Sequence, residues 1–503
     1  MPFSASRLFF LSIAIWAQAV AAQVPSTPTE PLRSEANRLV NLGRMTDGRG
    51  DRREALRLFQ ASVALRRQVA AAQADSPASQ AELADGLALV AGSMALQGKG
   101  PEALEALAEC EAIARKVSAA EGLPPAAAWR LATAFWAEDA GDIHLARGDF
   151  ATAQASFQSA MAPRAQWVAA HPEDTDMQQL LATAQEKTGR AQLAAGDAAA
   201  ALRSHQASLR SLDAVAKDDG DAPNASLRRR RWQVLARVGD AQLSGGAIDD
   251  ALATFDALLA QARDDVDRHD GMAAQARQAD GTVPQDMRRV LAVGFLDSHG
   301  RLATAQEKRA GALSAKGRAF EAVAAQRAGL EEVRAMMVIA RDSALAEALR
   351  KLFDRAGALQ TRLGETGEAL ASFRAAEATA GLLASKREAD VEAQQDWAAA
   401  LDKSADALRL SGDRPAAASR YAQALSVRRR LAALDPGHAL WQAELAVAAG
   451  KSGQIGGAGD PASRKLLEES LETLEALQRD HRLPRAYEAW LPKLRDALQA
   501  ASR

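Results

Sequence analysis

The stretch "RGDFATAQASFQSAMA", residues 147–162, places Gly148, Ala153, Phe157 and Ala160 in one fixed order. That order recurs. Glycines separate helical stretches at Gly50, Gly98, Gly148, Gly196, Gly246, Gly317, Gly364 and Gly412, with a weaker one at Gly459; the spacings are 48, 50, 48, 50, 71, 47, 48 and 47. Five residues after each of the first eight stands Ala55, Ala103, Ala153, Ala201, Ala251, Ala322, Ala369 or Ala417. Nine after, the column reads Phe59, Leu107, Phe157, His205, Phe255, Gln326, Phe373 and Tyr421; twelve after, it is mostly small. Offsets of four and then three keep these columns on one helix face, where small residues admit a close neighbour and the large one fills the gap.

A second small column, Gly43, Ala91, Gly141, Gly189, Gly239, Ala310, Gly357 and Ala405, lies seven residues before each glycine. Each copy therefore reads as a helix pair turning at its glycine, where a positive φ costs little. Prolines at 77, 124, 172, 223, 436 and 484 fall between copies and separate the pairs. The chain is all-α by composition as well: aromatics are 4% and β-branched runs are scarce.

The order Gly-x4-Ala-x3-aromatic-x2-small, with "DP" at Asp435-Pro436 closing a unit, resembles the tetratricopeptide repeat, in its long-helix bacterial variety. The resemblance implies a right-handed α-solenoid of eight to nine helix-turn-helix repeats over residues 34–503. The period near 48, against the family's 34, implies a second helix some four turns longer in each copy. Residues 264–286, which account for the one long spacing, read as an inserted loop, and residues from about 456 to 503 as a degenerate capping repeat that lacks the alanine column.

The N-terminus, "MPFSASRLFFLSIAIWAQAVAAQ", has a basic residue, a short apolar run and small residues, the layout of a signal peptide over residues 1–22. A Pro-rich linker over residues 23–33 follows. These features lead to the expectation of an exported, periplasmic protein with no stable membrane insertion after cleavage. A formal charge of −2 gives no general attraction to nucleic acid, and Cys110, the single cysteine, excludes an internal disulfide.

No H-E-x-x-H, C-x-x-C, G-x-S-x-G or Walker loop is present, and the seven histidines are scattered singly, so neither an enzyme, a cofactor nor a metal site is expected. His205 stands in the packing column and reads as a partly buried spacer; Cys110 stands in a small column and reads as a small core residue. Trp129, Trp397 and Trp441 read as packing anchors. The four consecutive arginines 228–231 point in all directions around a helix and read as solvated or paired side chains.

Stacked helix pairs curve so that first helices line the concave side. By the resemblance, groove positions lie three, six, ten and thirteen residues before each glycine. They hold Asp47, Asp85, Glu138, Asp142, Glu186, Asp240, Glu307, Asp354, Asp402 and Asp406 against Arg44, Arg190 and Lys351. The expectation is an acidic groove that binds a basic peptide or protein segment, making the chain an interaction scaffold. The alternative is a self-associating structural protein.

Overall fold

The computed structural model describes residues 29–118, 126–218, 225–277, 282–342, 345–457 and 459–500. The signal-peptide reading lies outside them, as does most of the linker. Within them stand nine consecutive helix pairs: α1 (Glu30–Gly48) with α2 (Arg52–Ala72), α3 (Pro77–Leu96) with α4 (Gly100–Ser118), α5 (Ala126–Arg147) with α6 (Phe150–Ala170), α7 (Thr175–Ala194) with α8 (Ala198–Asp218), α9 (Ala225–Ser244) with α10 (Ile248–Gln275), α11 (Gln285–Ala315) with α12 (Ala319–Asp342), α13 (Ala346–Arg362) with α14 (Thr366–Lys386), α15 (Val391–Leu410) with α16 (Arg414–Leu434), and α17 (Ala439–Gly456) with α18 (Pro461–Arg479). A short α19 (Arg485–Glu488) and α20 (Trp490–Ala500) cover the last pair.

The columns explain why the pairs close. All eight alanines after the turn glycines are at most 2% exposed. The large column seats on the small one: a Cβ at Gly43, Gly141, Gly239 or Gly357 would meet the ring of Phe59, Phe157, Phe255 or Phe373 at 2.3–2.7 Å. His205 takes the same seat against Gly189. Three residues on, the Ser62 and Ser208 hydroxyls and the Cys110 thiol donate to Ala36, Ala182 and Ala84 carbonyls at 2.9, 2.7 and 3.3 Å, tying each second helix to its first. The turn glycines have φ of 78–91°, a region that a Cβ disfavours.

Several details differ from the sequence expectation. The extra length is shared: in copies 1 to 4 first and second helices alike run 19–22 residues. Lengthening both keeps their faces matched, whereas one long helix would project without a partner. Pro31 serves as a first-turn proline, so α1 begins at Glu30, inside the expected linker. Residues 264–275 are helical rather than loop: α10 runs to Gln275 and α11 starts at Gln285, prolonging one pair. His269 secures that extension, packing on Gly294 with Nε2 3.0 Å from the Leu291 carbonyl. The ninth positive-φ glycine is Gly457 rather than Gly459. Counted from residue 458, buried Ser463, Leu467 and Ser470 fill the alanine, large and small columns, and Ser470 Oγ donates to the Ala446 carbonyl at 2.6 Å. The ninth copy is thus in register, and α19 and α20 form the cap.

The stack closes on itself. The copy 1 turn meets the junction of copies 7 and 8 through Arg52 and Asp390, 3.1 Å apart. In copy 3, Arg147 pairs with buried Asp435, and Arg482, beyond copy 9, pairs with Asp149 at 2.9 Å. Between these contacts Gly98 faces Trp441, leaving 2.7 Å for an added Cβ. A full superhelical turn therefore takes about seven copies, and copies 1 to 3 ride on copies 7 to 9 along a seam.

Candidate functional site

First helices of copies 2, 3 and 4 approach one another more closely than their second helices do, which places them on the inner, concave side, and ion pairs link first helices of adjacent copies directly. Lys187 on α7 reaches Glu138 and Asp142 on α5 at 2.5 and 2.6 Å. Lys308 on α11 reaches Asp240 on α9 at 2.6 Å, Lys403 on α15 reaches Asp354 on α13 at 2.6 Å, and Lys451 on α17 reaches Asp406 on α15 at 2.7 Å. Arg355 pairs with Glu307 in the same sense. A carboxylate of one copy is thus held by a cation of the next.

Glu138, Asp142, Glu186 and Asp240 come together in one cavity of about 860 Å³ on copies 3 to 6. Its apolar lining includes Phe135, Leu180, Leu212, Trp232 and Val234. Its cations are Lys187, Arg190, Arg230, Arg237 and Lys308, so the expected acidic lining is corrected to one of alternating sign. Burial opposes the ionised Glu138, yet Lys187 and Arg164 hold its carboxyl below the usual range. Burial raises that of Glu186, although Arg190 and Arg237 stand 3.9 and 3.8 Å away. Asp139 differs: burial and its neighbours Glu138 and Asp142 push its carboxyl up to about 7 against the opposing charge of Lys187.

The remaining expected residues are spread along the inner surface. Asp402 pairs with Arg428 at 2.5 Å, and Asp406 also accepts from the Tyr421 hydroxyl at 2.6 Å. Asp85, on α3, is pushed up to about 7 by burial. Asp47 is half-buried at the end of α1, where its carbonyl accepts the Gly50 N–H. The cations overlooked in the sequence form a column nine residues before the turn glycines, Lys187, Arg237, Lys308, Arg355 and Lys403. That spacing was there to be read; it puts each cation one residue after a groove position and across from the preceding copy's carboxylate.

Other expected readings resolve into packing. The arginines 228–231 do spread: Arg229 pairs with Asp297 at 2.7 Å, Arg231 with Asp213 at 2.6 Å, and Arg230 enters the cavity and donates to the Gln179 carbonyl at 3.0 Å. Cys110 is buried and its thiol is raised by desolvation. Trp441 packs in the seam, Trp397 is half-buried on the outer side, and the Trp129 side chain lies outside the description. Among the described residues no cluster of His, Cys, Asp or Glu is arranged to hold a metal, and no helix is long and apolar enough to cross a membrane.

Small columns on first helices, large columns on second helices and a positive-φ glycine between them define the repeating unit. The repeat is tetratricopeptide-like. No family model matches the chain, and no curated protein does. Among solved structures, the Rap conjugation gene regulator of plasmid pLS20, determined with the Phr* peptide, is 14% identical, with a TM-score of 0.39, over 79% of this chain and 96% of that one. A tetratricopeptide repeat protein from Parabacteroides merdae is 11% identical, with a TM-score of 0.34, over 69% and 93%. The tetratricopeptide-like assignment rests on the columns and turns of the chain itself.

Proposed function

We propose that this tetratricopeptide-like solenoid is a non-enzymatic interaction scaffold that holds an extended peptide or protein segment on its concave surface, centred on copies 3 to 6. The observation carrying this reading is the 860 Å³ cavity, in which apolar side chains alternate with charges of both signs supplied by successive copies. Such a surface offers an extended chain apolar contact together with regularly spaced donors and acceptors. Of the cavity's carboxylates, Asp139 alone has no ion pair among the described residues. A basic side chain of the bound segment is placed opposite it. The leader-like N-terminus supports export to a periplasm, where the partner would be met.

The test is capture from periplasmic extract at low salt, with identification of the retained segment and titration of its synthetic peptide against the protein and Asp139→Asn. The reading expects the segment to carry a basic residue, to bind about tenfold more weakly to the variant, and to bind more tightly as pH rises from about 6 to about 8, where the Asp139 carboxyl ionises. Equal affinity for both proteins at every pH overturns the basic-segment assignment. A retained segment whose affinity is also unchanged by Lys308→Ala and Arg237→Ala overturns the concave site itself.

A further inference from the structure

The seam creates a second concave feature, on the outer side of the stack. Where α14 and α16 flank α15, a cleft of about 750 Å³ is floored by Trp397 and bordered by Leu434, which is 50% exposed. Its rim belongs partly to the other end of the chain: Arg53 from α2 and Lys99 from the copy 2 turn face it, together with Arg430 from α16. All three cations are exposed, and among the described residues none has an ion-pair partner. This contrasts with the concave cavity, whose cations are each paired or hydrogen-bonded. One carboxylate, Glu388, also lines the cleft, leaving three cations against one anion.

We propose that this outer seam cleft binds an acidic peptide segment bearing a bulky apolar side chain, which rests on Trp397 while its carboxylates meet Arg53, Lys99 and Arg430. The three cations come from three separate parts of the fold around an apolar floor, so the ligand must distribute several negative charges around one apolar group. A peptide does this; a lipid gathers its charge at one end. The cleft is composite. Copies 7 and 8 supply the floor and copies 1 and 2 much of the rim, so the site exists only while the superhelix is closed, and its ligand stabilises the closed form by mass action. The inference is independent of the concave reading, since no residue is shared between the two cavities.

The probe is a dye-labelled peptide of alternating glutamate and leucine, followed by fluorescence anisotropy with the full chain, with the glutamine-for-glutamate peptide as its control. The double variant Arg53→Glu, Lys99→Glu changes exposed side chains only and should weaken binding by at least about tenfold. Asp435→Ala removes a seam ion pair from a residue that does not line the cleft and should weaken binding as well, although every lining residue is intact. The concave variant Arg237→Ala should bind normally. Overturning results are equal binding of the glutamine peptide, indifference to the Arg53→Glu, Lys99→Glu pair, retention of full affinity by Asp435→Ala when small-angle scattering shows its superhelix opened, or sedimentation with anionic phospholipid vesicles that displaces the bound peptide.

Discussion

His205 shows how one residue carries both packing and titration. It is fully buried in a column otherwise held mainly by Phe, Leu and Tyr, and neither ring nitrogen has a hydrogen-bond partner. Desolvation, with Arg237 nearby, lowers its pKa from 6.5 to about 4. Above pH 6.5 the ring is neutral in folded and unfolded chains alike, so it imposes no pH dependence there. As pH falls below 6.5 the unfolded chain takes up a proton that the folded chain refuses until about pH 4, and stability drops across that window by about 3 kcal/mol. His205→Phe should remove that loss and, by eliminating unsatisfied buried nitrogens, add about 1 kcal/mol at neutral pH. Urea unfolding at neutral and acid pH measures both; an unchanged acid sensitivity would place the titrating group elsewhere. The packing role of His205 was legible from its column. Its complete burial was not, because an imidazole on a periodic face can still turn one nitrogen to water.

At the scale of elements, the turn glycines separate conformational cost from crowding. Gly246 has φ of 83° with open space where a Cβ would stand, whereas Gly98, at 78°, would place that Cβ 2.7 Å from Trp441. Gly246→Ala should therefore cost about 1 kcal/mol through the left-handed backbone alone. Gly98→Ala should cost at least about twice that, because it also pushes apart two stretches distant in sequence. Equal melting-point losses would show that the seam yields freely around Gly98. Helix pairs and their turns were legible because the repeat prints the same steric solution eight times. Residues 264–275 misled for a physical reason: polar Asp, Arg and His residues form exposed helix as readily as loop, and contacts with α11, His269 seated on Gly294 and Asp265 paired with Arg301, fix the prolonged pair. The groove followed the same logic, since a column chosen by analogy found the carboxylates while the cations, one residue along, became partners only through the rotation between copies.

For the whole molecule, the decisive contact joins residues nearly three hundred positions apart, and nothing in a local period encodes it. Asp435 is 2% exposed and Asp390 4%, each facing an arginine from across the seam, Arg147 and Arg52. Paired in this way the carboxylates offset their desolvation; with the arginine removed, a closed seam would hold an uncompensated buried charge, at a cost of several kcal/mol. The stack has another option, because a solenoid keeps its nearest-neighbour packing when its turns separate. Arg147→Ala should therefore open the superhelix rather than unfold it: circular dichroism should change little, while small-angle scattering should show a larger radius of gyration. High salt, by screening the half-buried Arg482–Asp149 pair in part, should expand the variant further and the natural chain less. A sharp loss of helicity in Arg147→Ala would mean that the copies depend on the seam for folding. An unchanged radius would mean that Trp441 and its apolar neighbours hold the turns together unaided, leaving the ion pairs to set register alone.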